Sequence, residues 1–364
     1  MKPDTPIAEL TTLAYRIPTE SEESDGTYAW DSTILVLVKV AAAGKVGIGY
    51  TYADRATAVL IHDKLAPCLI GKDALATNAR WHDMAHVIRN LGRPGICSMA
   101  IAAVDAALWD WKAKMLDLSL ASLLGMARQA IPAYGSGGFT SYSHEQLRNQ
   151  MEGWVADGIG RVKMKIGRNP CADLERARAA RTAIGEAAEL FVDANGAYTR
   201  KQALAFSWKF AELGVTWFEE PVSSDDLEGL RLMRDRAPPG MAVTAGEYGY
   251  DLSYFRHMLG AQAVDVLQAD ASRCAGITGF LGVAALCEAF NVPLSSHCAP
   301  ALHLPLCCAA RPAIHLEYFH DHARIEGMLF DGAVTPVHGQ LLPDLSRPGL
   351  GIEFKERDAE CYRI

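Results

Sequence analysis

The chain has 364 residues, half of them hydrophobic, and a formal net charge of −8. That length exceeds one small core and suits a large domain beside a smaller one. Lysine and arginine are scattered, which argues against a nucleic-acid partner, and no run reaches the ~20 apolar residues of a membrane span.

The nine cysteines include no CxxC pair. Adjacent Cys307-Cys308 lie in an apolar stretch and read as core thiols. Met1-Lys2-Pro3-Asp4 reads as lacking an apolar leader, so a reduced, cytoplasmic setting is expected.

In chain order, Ile7 to Tyr15 and Ser32 to Val40 read as strands, and Gly44 to Tyr50 as a turn and return strand, with Gly47-x-Gly49 a hairpin feature. Thr19 to Ala29 is polar and acidic and predicts a mobile loop. Helices follow at Thr57–Leu69, Asn78–Asn90 and Ser98–Lys114; the last is apolar almost all round from Met99 to Trp109 and should be buried. Together these predict an α+β capping domain over residues 1–126.

From Ile131 the rhythm changes. Short apolar runs bounded by polar turns read as buried strands, with amphipathic helix patterns between them. They are Ile131–Tyr134, Arg161–Ile166, Glu189–Val192, Gly214–Phe218, Met241–Thr244, Val264–Asp270, Val292–His297 and Ala313–Glu317. Their spacing of roughly 20–28 residues is the size of one βα unit, so the class is α/β, a modified TIM-like (β/α) barrel over 127–340. The tail, 341–364, looks β-like and is expected to return to the first domain. Gly135-Ser136-Gly137-Gly138 lacks the Lys-Ser/Thr of a phosphate loop and reads as a flexible turn. His320-Asp321-His322 reads as a solvated loop.

Barrel enzymes carry their chemistry at strand C-termini. Asp193, Glu219 and Glu247 follow three consecutive strands, and three converging carboxylates suit Mg²⁺. Alternation points Lys163 and Lys165 to one side. One of them, with a lowered pKa, suits a general base; the other, still charged, suits a substrate carboxylate. Asp270 and His297 end the next two strands, and a carboxylate beside an imidazole fixes its tautomer. Glu317 admits two roles: a hydrogen-bond donor to the enolised substrate, or a strand-end ion pair.

With Val192-Asp193-Ala194-Asn195, Trp217-Phe218-Glu219-Glu220-Pro221 and Ala245-Gly246-Glu247 in order, the chain resembles the enolase superfamily, mandelate racemase subgroup, over nearly its whole length. The resemblance implies that Mg²⁺ binds a substrate carboxylate and that Lys165 and His297 face opposite sides of the adjacent carbon. Lys163 and Glu317 would stabilise the enediolate. Asp270 and His297 stand where the muconate-cycloisomerase and dipeptide-epimerase branches have a sixth-strand lysine, which argues against their chemistry. The implied activity is acid-sugar dehydration to a 2-keto-3-deoxy acid; the alternatives are a racemase or epimerase and, outside catalysis, a binding protein on the same barrel. Tyr28, Trp30 and Tyr52, with Ser136, Asn195 and Arg273, are the expected contacts to a small sugar acid. A homo-oligomer, dimer or octamer, is implied by the same analogy.

Overall fold

The computed structural model describes residues 5–364. Met1–Asp4, read above as lacking a leader, lie outside them. The cap is an antiparallel sheet of β1 (Ile7–Ser24), β2 (Ala29–Ala42) and β3 (Lys45–Tyr52), in that order. The apolar helix Ile96–Met115 packs on it and is buried along most of its length. Its close approach explains Gly47 and Gly49, which are more than hairpin residues: a Cβ on either would lie 2.2 Å from the carbonyl oxygen of Ala107 or Ala103. Asp105, buried in the same helix, accepts the Thr278 N–H at 2.8 Å and ties the cap to the barrel.

The barrel strands are β4 (Ile131–Gly137), β5 (Arg161–Lys165), β6 (Glu189–Asp193), β7 (Val215–Glu219), β8 (Ala242–Ala245), β9 (Val266–Ala269), β10 (Leu294–Ser296) and β11 (Ala313–Phe319). All pair in parallel, and β11 pairs with β4 to close the ring. The interior is a packed core. Tyr134, Phe191, Trp217 and Val266 form a buried cluster, Phe191 stacks on Trp217 at 5.1 Å, and His315 lies 5.1 Å from Trp217. This aromatic layer is the floor on which the site stands.

Four expectations need correction. The predicted mobile loop at Thr19–Ala29 is mostly strand, because β1 continues to Ser24 and β2 begins at Ala29. Only a tight turn remains, in which Asp25 Oδ1 accepts the N–H groups of Thr27 at 2.6 Å and Tyr28 at 2.7 Å. Gly135 to Gly137 belong to β4 and not to a turn. His320-Asp321-His322 opens the helix His320–Leu329, with Asp321 and His322 buried. The tail does reach the cap, through Ile364 N–H to Ala14 O at 3.0 Å, but beyond Gln340–Leu341 its one strand is Glu353–Phe354. No helix among the described residues is long and apolar enough to cross a membrane.

Candidate active site

Register builds the site. Lys165, Asp193 and Glu219 are lateral neighbours at the ends of β5, β6 and β7. Glu247 lies just beyond β8, Asp270 follows β9 and His297 follows β10. Two residues back on β6, β7 and β11 sit Phe191, Trp217 and His315 of the floor, so on those strands alternation sets an acid directly above an aromatic ring.

One carboxylate oxygen each of Asp193, Glu219 and Glu247 lies within 4.8 Å of the others, all buried, so the three could hold a metal ion. Lys163 Nζ is 2.7 Å from Glu219 Oε1 and 2.7 Å from Glu317 Oε1. Lys165 Nζ is 2.5 Å from Asp193 Oδ2. On the other flank His297 Nε2 is 3.3 Å from Glu247 Oε2, while its Nδ1 is 2.8 Å from Asp270 Oδ2. Lys165 and His297 therefore abut opposite ends of the acid triad.

Burial disfavours both charged lysines, but the carboxylates outweigh it and hold both above the ordinary lysine value: Asp193 for Lys165, Glu219 and Glu317 for Lys163. The expected lowered lysine pKa is thus not seen among these groups alone. Burial likewise opposes an imidazolium at His297, yet the Cys298 sulfur and the Glu247 and Asp270 carboxylates raise it well above its usual value. Burial and Asp193 push Glu219 up to about 8. Glu317 is held at about 2: burial alone would raise it, and the neighbouring Lys163 wins. With Lys163 on Oε1 and the Cys298 N–H donating to Oε2 at 2.8 Å, Glu317 accepts on both oxygens, which favours the ion-pair role over the donor role.

A cavity of about 460 Å³ opens over these groups, lined by Lys165, Glu247, Asp270 and His297 from the barrel and by cap residues. Tyr28, Trp30, Tyr52, Asn195 and Arg273 all reach it. Ser136 does not: it is buried in β4 with its hydroxyl unpaired. Trp30 is held by Glu23 Oε2 at 2.9 Å, and Arg273 lies 5.5 Å over the Tyr248 ring. Asn195 and Tyr248 form the partition to a second cavity, which Thr27 and Glu220 line.

Sequence reasoning missed His322, Cys298, Tyr248 and Glu220. His322 stacks on Tyr52 at 3.5 Å and lines the pocket. Its signal was present: Asp321, His322, Ile325, Glu326 and Leu329 form one buried helical face. Glu220 leaves the strand with φ +39°, a reversal that its position in Glu219-Glu220-Pro221 does not announce.

Residues 24–125 match the mandelate racemase / muconate lactonizing enzyme N-terminal domain, and residues 146–359 the enolase C-terminal domain-like family. The chain belongs to the enolase superfamily, in its mandelate racemase subgroup.

Within that superfamily it is 32% identical to 3,6-anhydro-alpha-L-galactonate cycloisomerase of Streptomyces coelicolor, across 94% of this chain and 98% of that protein. It is 32% identical to L-talarate/galactarate dehydratase of Salmonella typhimurium, across 86% of this chain and 78% of that one. A mandelate racemase/muconate lactonizing enzyme-like protein from Rubrobacter xylanophilus superposes with TM-score 0.97 at 52% identity, covering 99% of this chain and 100% of its own. A Streptomyces coelicolor racemase with bound magnesium superposes with TM-score 0.93 at 29% identity, covering 98% and 100%.

Magnesium is the cofactor of this superfamily site, and the residues fit it. The donors are hard carboxylate oxygens of the kind Mg²⁺ prefers. Asp193, Glu219, Glu220, Glu247, Asp270 and Glu317 are all buried, six acids beside the four cations Lys163, Lys165, Arg273 and His297, and burial with the crowding of Asp193 pushes Glu219 up to about 8. A divalent cation corrects that imbalance.

Proposed function

We propose that the protein is a magnesium-dependent acid-sugar dehydratase that removes the α-proton of a carboxylate substrate and then eliminates a β-hydroxyl. The observation that carries this reading is the flanking of the acid triad by Lys165 on one side and His297 on the other. Asp193, Glu219 and Glu247 would hold the metal, which when bound supplies positive charge that acidifies the α-proton and balances the enediolate.

Lys163 stays charged between Glu219 and Glu317 and offers its ammonium to the substrate carboxylate. With Asp193 engaged by the metal, Lys165 would lose the carboxylate that keeps it charged, and as the neutral amine it takes the α-proton at Nζ. Asp270, itself fixed by the Ser272 N–H and hydroxyl at 2.7 Å each, orients His297 so that Nε2 faces the substrate. His297 gives its proton to the departing hydroxyl, which leaves as water. The cap supplies a polar wall of Asp25, Ser32, Thr33 and Asp54 between the Tyr28, Trp30 and Tyr52 rings, which suits a polyol. The dehydratases among its relatives support the same outcome.

The test is incubation with Mg²⁺ and a panel of aldonic, aldaric and 2-hydroxy acids in D₂O, followed by proton NMR. A 2-keto-3-deoxy product from an acid sugar is expected. Deuterium at the α-carbon without loss of water would replace dehydration by racemisation or epimerisation, and an isomeric product from a lactone or anhydro acid would replace it by cycloisomerisation.

A further inference from the structure

His297, Cys298 and Glu317 bring one nitrogen, one sulfur and one oxygen to a single point beside the acid triad. All three are buried, with donor atoms within 4.8 Å of one another. Cys298 Sγ lies 3.3 Å from His297 Nε2, and Glu317 Oε2 lies 3.9 Å from it. Glu247 Oε2 is also 3.3 Å from that nitrogen, and this buried oxygen has no hydrogen-bond partner. Cys298 reaches its position because its backbone turns left-handed, φ +52°, just after β10.

The spacing has a chemical meaning. Zinc bonds of roughly 2.0–2.3 Å at tetrahedral angles separate neighbouring donors by about 3.3–3.7 Å. His297 is also oriented as a ligand: Asp270 accepts the Nδ1 proton at 2.8 Å, which makes Nε2 the nitrogen a metal would take once its proton leaves, the carboxylate–histidine arrangement that supports zinc. Magnesium prefers oxygen alone, so a sulfur and a nitrogen select a softer ion.

We propose that His297 Nε2, Cys298 Sγ and Glu317 Oε2, with Glu247 Oε2 adjacent, form a second metal site for a thiophilic divalent cation such as Zn²⁺. Binding displaces the Cys298 thiol proton and the His297 Nε2 proton to solvent and forms the metal–sulfur and metal–nitrogen bonds. It also occupies the nitrogen that the dehydration needs, so the ion acts as an inhibitor competitive with substrate. That last consequence rests on the proposed function; the site itself does not.

The test is titration of the magnesium-saturated protein with Co²⁺, followed by near-ultraviolet absorption. One cobalt per chain with a sulfur-to-metal charge-transfer band, displaced by Zn²⁺, is expected. Cys298→Ala and His297→Asn, checked for folding by circular dichroism, should each weaken binding by at least about tenfold, the lower range for second-layer losses. Replacing the exposed Cys171 and Cys361 by serine should leave the band in place. Absence of the band at stoichiometric cobalt, or a band that survives Cys298→Ala, overturns the site whatever the enzyme's activity. In turnover, Zn²⁺ should inhibit wild type at least tenfold more strongly than Cys298→Ala, each measured against its own zinc-free rate. Cobalt bound through Cys298 with turnover unaffected would uphold the site and remove His297 from the proposed mechanism.

Discussion

The floor and the mouth of the barrel are built on the same strands two residues apart, yet they hold opposite chemistry. Phe191, Trp217 and His315 lie one layer below Asp193, Glu219 and Glu317. In the floor the titratable group is neutral: burial, then the charges of Arg161 and Lys163, hold His315 at about 3. In the mouth burial is as deep, but Lys163 lies 2.7 Å from Glu317 Oε1, and Glu317 stays ionised. Depth alone does not decide ionisation; the partner does.

The largest expected effect tests the mouth. Lys165→Met should lower kcat at least ~100-fold with the fold retained in Mg²⁺, because it removes the proposed proton acceptor. A kcat near wild type, measured by product formation, would leave His297 as the only such group. Trp217→Phe tests the joint between the layers, since Trp217 Nε1 donates to Glu219 Oε2 at 2.9 Å. Losing that donor should cost about 1–3 kcal/mol, seen as a lower Tm and weaker Mg²⁺ binding by calorimetry. An unchanged Tm would mean the layers are energetically separate.

The floor histidine makes a pH prediction. Because folding depresses His315 from 6.5 to about 3, the unfolded chain binds the extra proton between those values. Stability from His315 is therefore complete above about pH 6.5 and is lost as pH falls towards 3. His315→Gln should flatten the decline of Tm between about pH 6.5 and 5, above the ordinary carboxylate range, with a remainder from His322, which burial also holds at about 3. An unaltered slope would mean that His315 is protonated in the fold. The smallest effect belongs to Tyr28→Ala, whose ring is 68% exposed at the pocket rim. KM should change only about twofold, the scale of surface substitutions.

The barrel and its charged row were legible because each acid follows an apolar run that reads as a buried strand, and strand period sets which side chains share a layer. What escaped depends on geometry outside that period. Cys298 and Glu220 turn left-handed immediately after their strands, with φ of +52° and +39°. The stretch Thr19–Ala29 is polar, as a loop would be, yet it closes a hairpin in which β1 pairs with β2 through Ser24↔Ala29 and Glu23↔Trp30. Its turn is seated on the barrel: a Cβ on Gly26 would lie 2.2 Å from the Ala194 carbonyl oxygen. Nothing local in the sequence announces that contact.

The aromatic floor also governs traffic. Phe191, Trp217, Tyr134 and Val266 close the barrel beneath the carboxylates, so a metal and, on the proposed function, substrate and product would pass through the cavities on the cap side. A substrate that enters after the metal blocks its exit. The metal should therefore exchange more slowly in the substrate complex than in the free enzyme, and a chelator should act only between turnovers.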